Sequence, residues 1–236
     1  MDILRLLYNE LLYRPLFNGL ILFYTILPVR DLGLAIVFFT AAVRLVLTPF
    51  LYKTFRSQQD MARIQPEVQR LQQKFKNNRA EQGKALMELY AQHRVSPFSG
   101  CLGMIVQIMV FIPLFQVFQY GLDGSQLGLL YPWISNPGNI NPLSLGLLDL
   151  SRRSIPLGVC AALTQYLQTR LAAAPPPSGQ EQDMARMMRI QTTYVFPILV
   201  LVWSSTLPSA FALYWTTLNL FGILQERIMK QWMPKP

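Results

Sequence analysis

From Leu32 to Leu51 the chain runs for 20 residues with a single charged side chain, Arg44. A helix of about 20 apolar residues crosses the roughly 30 Å hydrocarbon core of a bilayer, so this run constrains the fold more than any other stretch. It also carries a cost. An arginine near the middle of such a helix is unfavourable by about 2.5–3.5 kcal/mol on insertion scales. The chain must either stabilise Arg44 or use it.

Four more apolar blocks follow: "CLGMIVQIMVFIPLFQVFQYG" (101–121), "IPLGVCAALTQYLQTRL" (155–171), "IQTTYVFPILVLVWSST" (190–206) and "SAFALYWTTLNLFGILQERIM" (209–229). None alternates with the period of two that a barrel strand needs, and backbone in lipid has to satisfy its own hydrogen bonds, so the blocks read as helices. The composition agrees: 52% of residues are hydrophobic and 14% charged, against about 25% charged in an ordinary soluble domain. The expected fold class is an all-α polytopic membrane protein with five transmembrane helices. The first span covers 31–52, and spans two to five lie within 97–236, joined by an outer loop (122–153) and a cytoplasmic loop (172–189).

Charge sets the expected orientation. Between Lys53 and Arg94 there are nine Lys/Arg against four acids, whereas the segment before the first span has three of each and the loop 122–153 two of each. By the positive-inside rule the 53–94 segment is cytoplasmic, which makes the protein N-out and C-in with a short cytoplasmic tail. Arg152 and Arg153 fall on the outer side, against the rule. The net charge of +9 is concentrated in juxtamembrane segments, where attraction to anionic lipid is the plainest cause. DNA is not an expected partner; contact with ribosomal RNA near the membrane stays open.

Residues 1–30 read as an N-terminal interfacial segment and not as a cleaved signal peptide. Asp2, Arg5 and Asn9 share one helical face, with Leu4, Leu7, Leu11 and Leu12 elsewhere, the pattern of an amphipathic helix lying in the interface. "LFNGLILFYTILP" (16–28) is too short to span and leads into the first span. In the basic 53–96 segment, Ile64, Val68, Leu71 and Phe75 recur at coiled-coil spacing. "KNNRAEQG" (76–83) interrupts the pattern, and Leu86, Leu89 and Tyr90 resume it. Pro66 marks a helix start or kink. The segment is expected to be a cytoplasmic helical hairpin that docks or recruits, since a mere connector needs no apolar seam. "AAAPPPSGQEQD" (172–183) reads as a flexible loop, and the short link "LPS" (207–209) makes the last two spans an antiparallel hairpin.

No motif for bond-making chemistry is present. The chain has no phosphate-binding loop, dinucleotide glycine motif, nucleophile–base pair or paired carboxylates, so neither an enzyme, a cofactor nor a metal is expected. Cys101 and Cys160 lie in different spans without metal or redox spacing, and His93, the single histidine, reads as a solvated surface residue.

Polar residues do gather at one depth. Thr40, Arg44 and Thr48 share a face of the first span; Gln107, then Gln165, Gln168 and Thr169, then Trp215 and Asn219 lie in the corresponding halves of others. Such a set would line a hydrated cavity open to the cytoplasm, where water would keep Arg44 charged. Snorkelling of Arg44 toward headgroups and interhelical hydrogen bonding by Gln107 and Asn219 are the simpler alternatives.

Several segments together are specific. "LYRPLFN", "VRLVLTPF", "IQPEVQRLQQKFK", "SPFSGCLGMIVQIMVFIPLF" and "FALYWTTLNLFGILQ" occur in the order and spacing of the YidC/Oxa/Alb family of membrane protein insertases, which the chain resembles over nearly its whole length. It resembles the short bacterial form, without the large extracytoplasmic domain of Gram-negative members or the long basic tail of some others. "SPFSGC" stands where the family often has Asn-Pro-Leu-Gly-Gly-Cys. The resemblance implies a positively charged hydrophilic groove, open to cytoplasm and lipid, with Arg44 as the groove arginine and Thr40, Gln107, Trp215 and Asn219 among its substrate-facing lining. It implies insertion of newly made membrane proteins, with nascent chains and anionic lipids as partners, the Sec translocon and the ribosome as further candidates, and the bacterial plasma membrane as the location. The rival class is a small anion transporter or channel that binds its ion at Arg44, but five spans with unlike loops show no inverted repeat.

Overall fold

The computed structural model describes residues 2–96, 99–121, 124–172, 187 and 189–232. The expected flexible loop at 172–183 lies outside them beyond Ala172, as do Pro97 and Phe98 of "SPFSGC" and the last four residues. Nearly all of the described chain is helical, apart from two-residue strands in the 122–153 loop.

The N-terminal stretch forms one run of helix: α1 (Asp2–Tyr8), a π turn (Asn9–Tyr13) and α2 (Arg14–Ile26). Its two halves meet different surroundings. Ile3, Leu6, Leu7 and Leu11 are exposed, whereas Phe17, Leu20 and Ile21 are fully buried. The amphipathic surface segment expected over 1–30 is therefore confined to the first dozen residues, and the following turns are core. Asn18 shows why they stay in place. Its buried side chain donates to the Arg14 and Leu129 carbonyls and accepts from the Tyr131 amide (2.8, 3.1 and 2.7 Å), which ties α2 to the 124–153 loop.

Helix α3 (Leu32–Lys74) has 43 residues. At 1.5 Å per residue it is about 65 Å long, more than twice the thickness of a hydrocarbon core, so its second half must leave any bilayer that its first half crosses. Among the described residues it is the one helix long and apolar enough to span a membrane by length and composition; Ile105–Gly121 is apolar but shorter. The helix continues without interruption past residue 52 and runs through Pro49 and through Pro66, which therefore does not mark a helix start. After a turn, α4 (Arg79–Gln92) begins within the stretch read as an interruption, capped by Asn78, whose side chain accepts from the Glu81 amide. It packs back on α3 through Ile64, Val68 and Leu89, with Leu71, Leu86 and Tyr90 around them. That is the expected seam, and it forms a small core separate from the main one. His93 is not simply solvated: its Nε2 lies 3.4 Å from Glu67.

The remaining helices are α5 (Ser99–Gln116, extended by a π turn over Val117–Gly121), α6 (Ile155–Ala172), α7 (Phe196–Thr206, preceded by a π turn over Gln191–Val195) and α8 (Ser209–Trp232). α8 is central. It packs against α3 on one side and α6 on the other, while α5 covers α3 and α7 covers α6. Aromatic edges fill the α5–α8 contact, with Phe111 meeting Phe211 and Trp215 edge-on. The surfaces turned away from this core are apolar as well. Leu45 and Val46 on α3, Ile105, Ile108, Met109 and Ile112 on α5, Val159, Leu163, Leu167 and Leu171 on α6, and Ile198 and Val202 on α7 are all exposed.

The 124–153 loop is fastened to the ends of three helices. A hairpin of β1 (Leu143–Ser144) and β2 (Leu148–Asp149) turns at Leu145 and Gly146, both at positive φ. Asp31 joins it to α3: its carboxylate accepts from the Leu34 amide as N-cap (2.8 Å), from Ser144 Oγ (2.9 Å) and from the Leu145 amide. Ser209 and Ala210 at the start of α8 donate to the Arg152 and Leu150 carbonyls, supplying acceptors to amides that a helix leaves unpaired at its start. The Arg152 side chain is 2.9 Å from Asp149. Hydrogen bonds from the Ser151 hydroxyl and amide, with Arg152 beside them, hold the Asp149 carboxyl below the usual carboxylate range. Because Asp31 serves three donors at once, Asp31→Ala should cost about 1–3 kcal/mol, well above a lost exposed cap. Thermal unfolding in detergent should show the drop, with Ser144→Ala giving a smaller one.

Candidate functional site

Arg44 is half-buried on α3, in the layer between α3, α5 and α8. Its Nη1 donates to Gln225 Oε1 on α8 (3.2 Å). The same Gln225 amide returns two bonds, donating to the Arg44 carbonyl (3.1 Å) and to Thr48 Oγ1 (2.9 Å). One α8 side chain thus grips both the head and the backbone of the arginine. Gly222, one turn before Gln225, makes the approach possible: a Cβ there would lie 3.0 Å from Arg44 Nη2 and 2.4 Å from Gln168 Nε2.

On the other side Arg44 lines a cavity of about 20 Å³, room for about one water molecule. Thr40, Gln107 and Tyr214 share its wall with apolar side chains that include Val43, Val110 and Leu218. Arg44 Nε is buried at this wall without a hydrogen bond, beside Gln107 Nε2 and the Tyr214 hydroxyl, which are joined to each other only by a loose contact. Buried polar groups are nearly always paired, and leaving one unpaired costs about 1–3 kcal/mol, so Arg44 Nε and this loosely joined pair form a surface prepared for a hydrogen-bonding occupant. The Thr40 hydroxyl is already satisfied by the Ile36 carbonyl (2.6 Å).

The structure brings Arg44, Thr40 and Gln107 together at one cavity. It places Trp215 and Asn219 elsewhere. Trp215 Nε1 donates to Gln165 Oε1 (2.9 Å), and Asn219 Nδ2 donates to Thr164 Oγ1 (3.2 Å) and the Ala161 carbonyl (3.4 Å). Both therefore stitch α8 to α6, the interhelical role that polar side chains often take in membrane bundles. Gln225, Tyr214 and Gly222 were not among the expected site residues. A signal for them exists: Tyr214, Leu218, Gly222 and Gln225 follow one another at spacings of four, four and three, the face of α8 turned to Arg44. A second cavity, about 280 Å³, lies near the loop, lined by Glu10, Arg14, Gln116 and Gln126 among others. The Glu10–Arg14 pair at 3.0 Å balances its charge.

Accessibility separates the two groups. With Cys101 and Cys160 replaced, a cysteine at Gln107 should react with a small water-soluble maleimide several-fold faster than one at Asn219, which is buried against α6. Labelling rates in reconstituted membranes measure this, and equal rates would show that α6 and α8 part as readily as α5 and α8.

A helical bundle whose outward faces are apolar and whose charged residue sits between helices has the build of an integral membrane protein. Comparison with known proteins agrees: the family model described as 60Kd inner membrane protein matches residues 22–236. The chain is 32% identical over 201 residues to the membrane protein insertase YidC of Francisella tularensis subsp. novicida (strain U112), covering 85% of this chain and 33% of that protein. The same figures hold for YidC of subsp. tularensis (strain SCHU S4 / Schu 4) and of subsp. holarctica (strain LVS). The chain belongs to the 60Kd inner membrane protein (YidC/Oxa) family, and it spans about a third of the length of these curated relatives.

Proposed function

We propose that this chain is a membrane protein insertase that crosses a bacterial plasma membrane five times, N-out and C-in, through α3, α5, α6, α7 with its π turn, and α8. The apolar outward faces of these helices support the span count, and the excess of Lys/Arg at the α3–α4 hairpin supports the orientation. The Arg152–Asp149 pair offsets one of the two cations that depart from the rule.

The observation that carries the function is Arg44: a guanidinium between apolar helices, held from one side by Gln225 and unsatisfied at Nε on the other. The acidic or polar flank of a nascent segment could complete its hydrogen bonding there, which lowers the cost of taking that flank out of water. The segment's apolar residues then move into lipid, at roughly 25 cal/mol per Å² removed from water. A membrane potential negative inside helps an acidic flank outward by about 2.3 kcal/mol per charge per 100 mV. No covalent step and no nucleotide are required. Nascent membrane proteins and anionic lipids are the partners, with the Sec translocon and the ribosome as candidates at the hairpin.

Reconstitution into liposomes tests the reading. The protein should raise the protease-protected fraction of a single-span substrate without passing small anions. Anion flux without insertion would instead favour a channel that uses Arg44 as its ion site.

A further inference from the structure

The arginine fork has two usable edges, and in this fold they meet different neighbours. Nη1 is occupied by Gln225, while Nε is left without a partner beside Gln107 Nε2 and the Tyr214 hydroxyl. Gln225 fixes this division because its amide is anchored twice more on α3, at the Arg44 carbonyl and Thr48 Oγ1. A plain interhelical tie would need one of these bonds. The bonds to the Arg44 carbonyl and Thr48 fix the glutamine, its Oε1 then holds the guanidinium at Nη1, and the missing Cβ at Gly222 leaves the space for it.

We propose that Gln225 is a positioning residue for insertion: it holds the Nη1 edge of Arg44 and thereby presents the Nε edge, with Gln107 and Tyr214, to one acceptor oxygen of the incoming chain. The acceptor is a carboxylate or a backbone carbonyl. Arg is suited to this because its donors are fixed in a plane, so turning the plane decides what it can bind. The assignment rests on the insertase reading, and it adds a second element to the selectivity of Arg44: an acid at position 225 would act as a built-in competitor for the cation.

The test uses the full chain with Cys101→Ala, Cys160→Ala and Val106→Cys, the last lining the same cavity. Two measurements are made in proteoliposomes. The first is the ratio of thiol modification rates by anionic and cationic methanethiosulfonates, which reads the local potential without any substrate. The second is insertion of a single-span protein whose translocated flank carries either two aspartates or two asparagines. Gln225→Glu should lower the anion-to-cation ratio by roughly tenfold and reduce aspartate-flank insertion at least several-fold more than asparagine-flank insertion. Gln225→Leu should keep the preference for the anionic reagent yet still reduce aspartate-flank insertion selectively, because the charge remains and its direction is lost.

An unchanged ratio in Gln225→Glu, parental insertion in Gln225→Leu, or no modification at Val106→Cys in any variant would overturn the assignment. So would failure of both variants to fold, which would make Gln225 a structural tie. Failure of the insertase reading looks different: the parent would insert neither substrate, while the reagent ratio would still respond to Gln225→Glu.

Discussion

Arg44→Ala should give a folded protein, about as stable as the parent, whose insertion of acid-flanked substrates falls at least tenfold. The stability follows from what the side chain does in the fold. It makes one hydrogen bond, to Gln225, and leaves a buried Nε unpaired. Gln225 keeps its bonds to Thr48 and to the residue-44 carbonyl, which belongs to the backbone. The lost bond, worth about 0.5–1.5 kcal/mol, is offset by removal of the orphaned donor. Activity has no such offset. A carboxylate that enters an apolar bundle without a cation meets its full desolvation cost, and tenfold corresponds to only about 1.4 kcal/mol. Arg44→Lys should retain part of the activity, since the charge remains and the planar fork is lost. Neutral, more hydrophobic flanks should relieve the alanine defect. Protease protection of acidic and neutral substrates measures the contrast, and equal insertion of both by Arg44→Ala would make Arg44 a snorkelling anchor.

The main features of the fold were legible because they depend on one-dimensional patterns. The five apolar blocks became α3, α5, α6, the α7 region and α8, and the seam of Ile64, Val68, Leu71, Leu86, Leu89 and Tyr90 became the α3–α4 core. The N-terminus was harder. Phe17, Leu20, Ile21 and Tyr24 lie on one face at helical spacing, a pattern that suits an interfacial helix as well as a core helix. What decides between them is Asn18 meeting Leu129 and Tyr131, more than 100 residues away. Pro66 does not start a helix, for a local reason. Proline removes one amide donor and strains one turn, and a helix already held by α4 on both sides of that point can absorb the cost.

Height along a span does not fix which way a side chain faces. Counting residues from the span ends puts Arg44, Gln107, Trp215 and Asn219 at similar heights. Which neighbour each faces depends on the rotation of α8, which packs on two sides at once. Trp215 and Asn219 turn to α6; Tyr214, one residue from Trp215, turns to the Arg44 cavity. Gln225 escaped notice because it stands near the end of its apolar block, where a glutamine reads as a solvated residue. Only the bond to Arg44, 181 positions earlier, gives it a role.

Replacing residues 58–92 with a flexible linker should leave the bundle folded and abolish insertion. The small core of Ile64, Val68 and Leu89 is separate from the main one, and α4 packs on α3, so its removal opens no cavity in the main bundle. The bridge is short enough to rebuild. His93 sits beside Glu67, about 15 Å along the helix from Ser57, a distance that some eight Gly/Ser residues cover. The melting temperature in detergent should therefore move by only a few degrees, since the deleted part contributes its own stability and little of the bundle's. Function should suffer far more, because the hairpin carries a cluster of basic residues that a connector does not need. Lys74, Lys76, Arg79 and Lys84 surround its tip, about 45 Å along α3 from Arg44, where they can hold an anionic partner before it reaches the bundle. Leu89→Ala supplies the intermediate case: it should loosen the hairpin by about 2–3 kcal/mol, speed amide exchange there alone, and lower insertion partially. Full insertion by the deletion variant would show that α4 and the distal half of α3 are a connector, and the search for the docking element would move to the 172–189 loop.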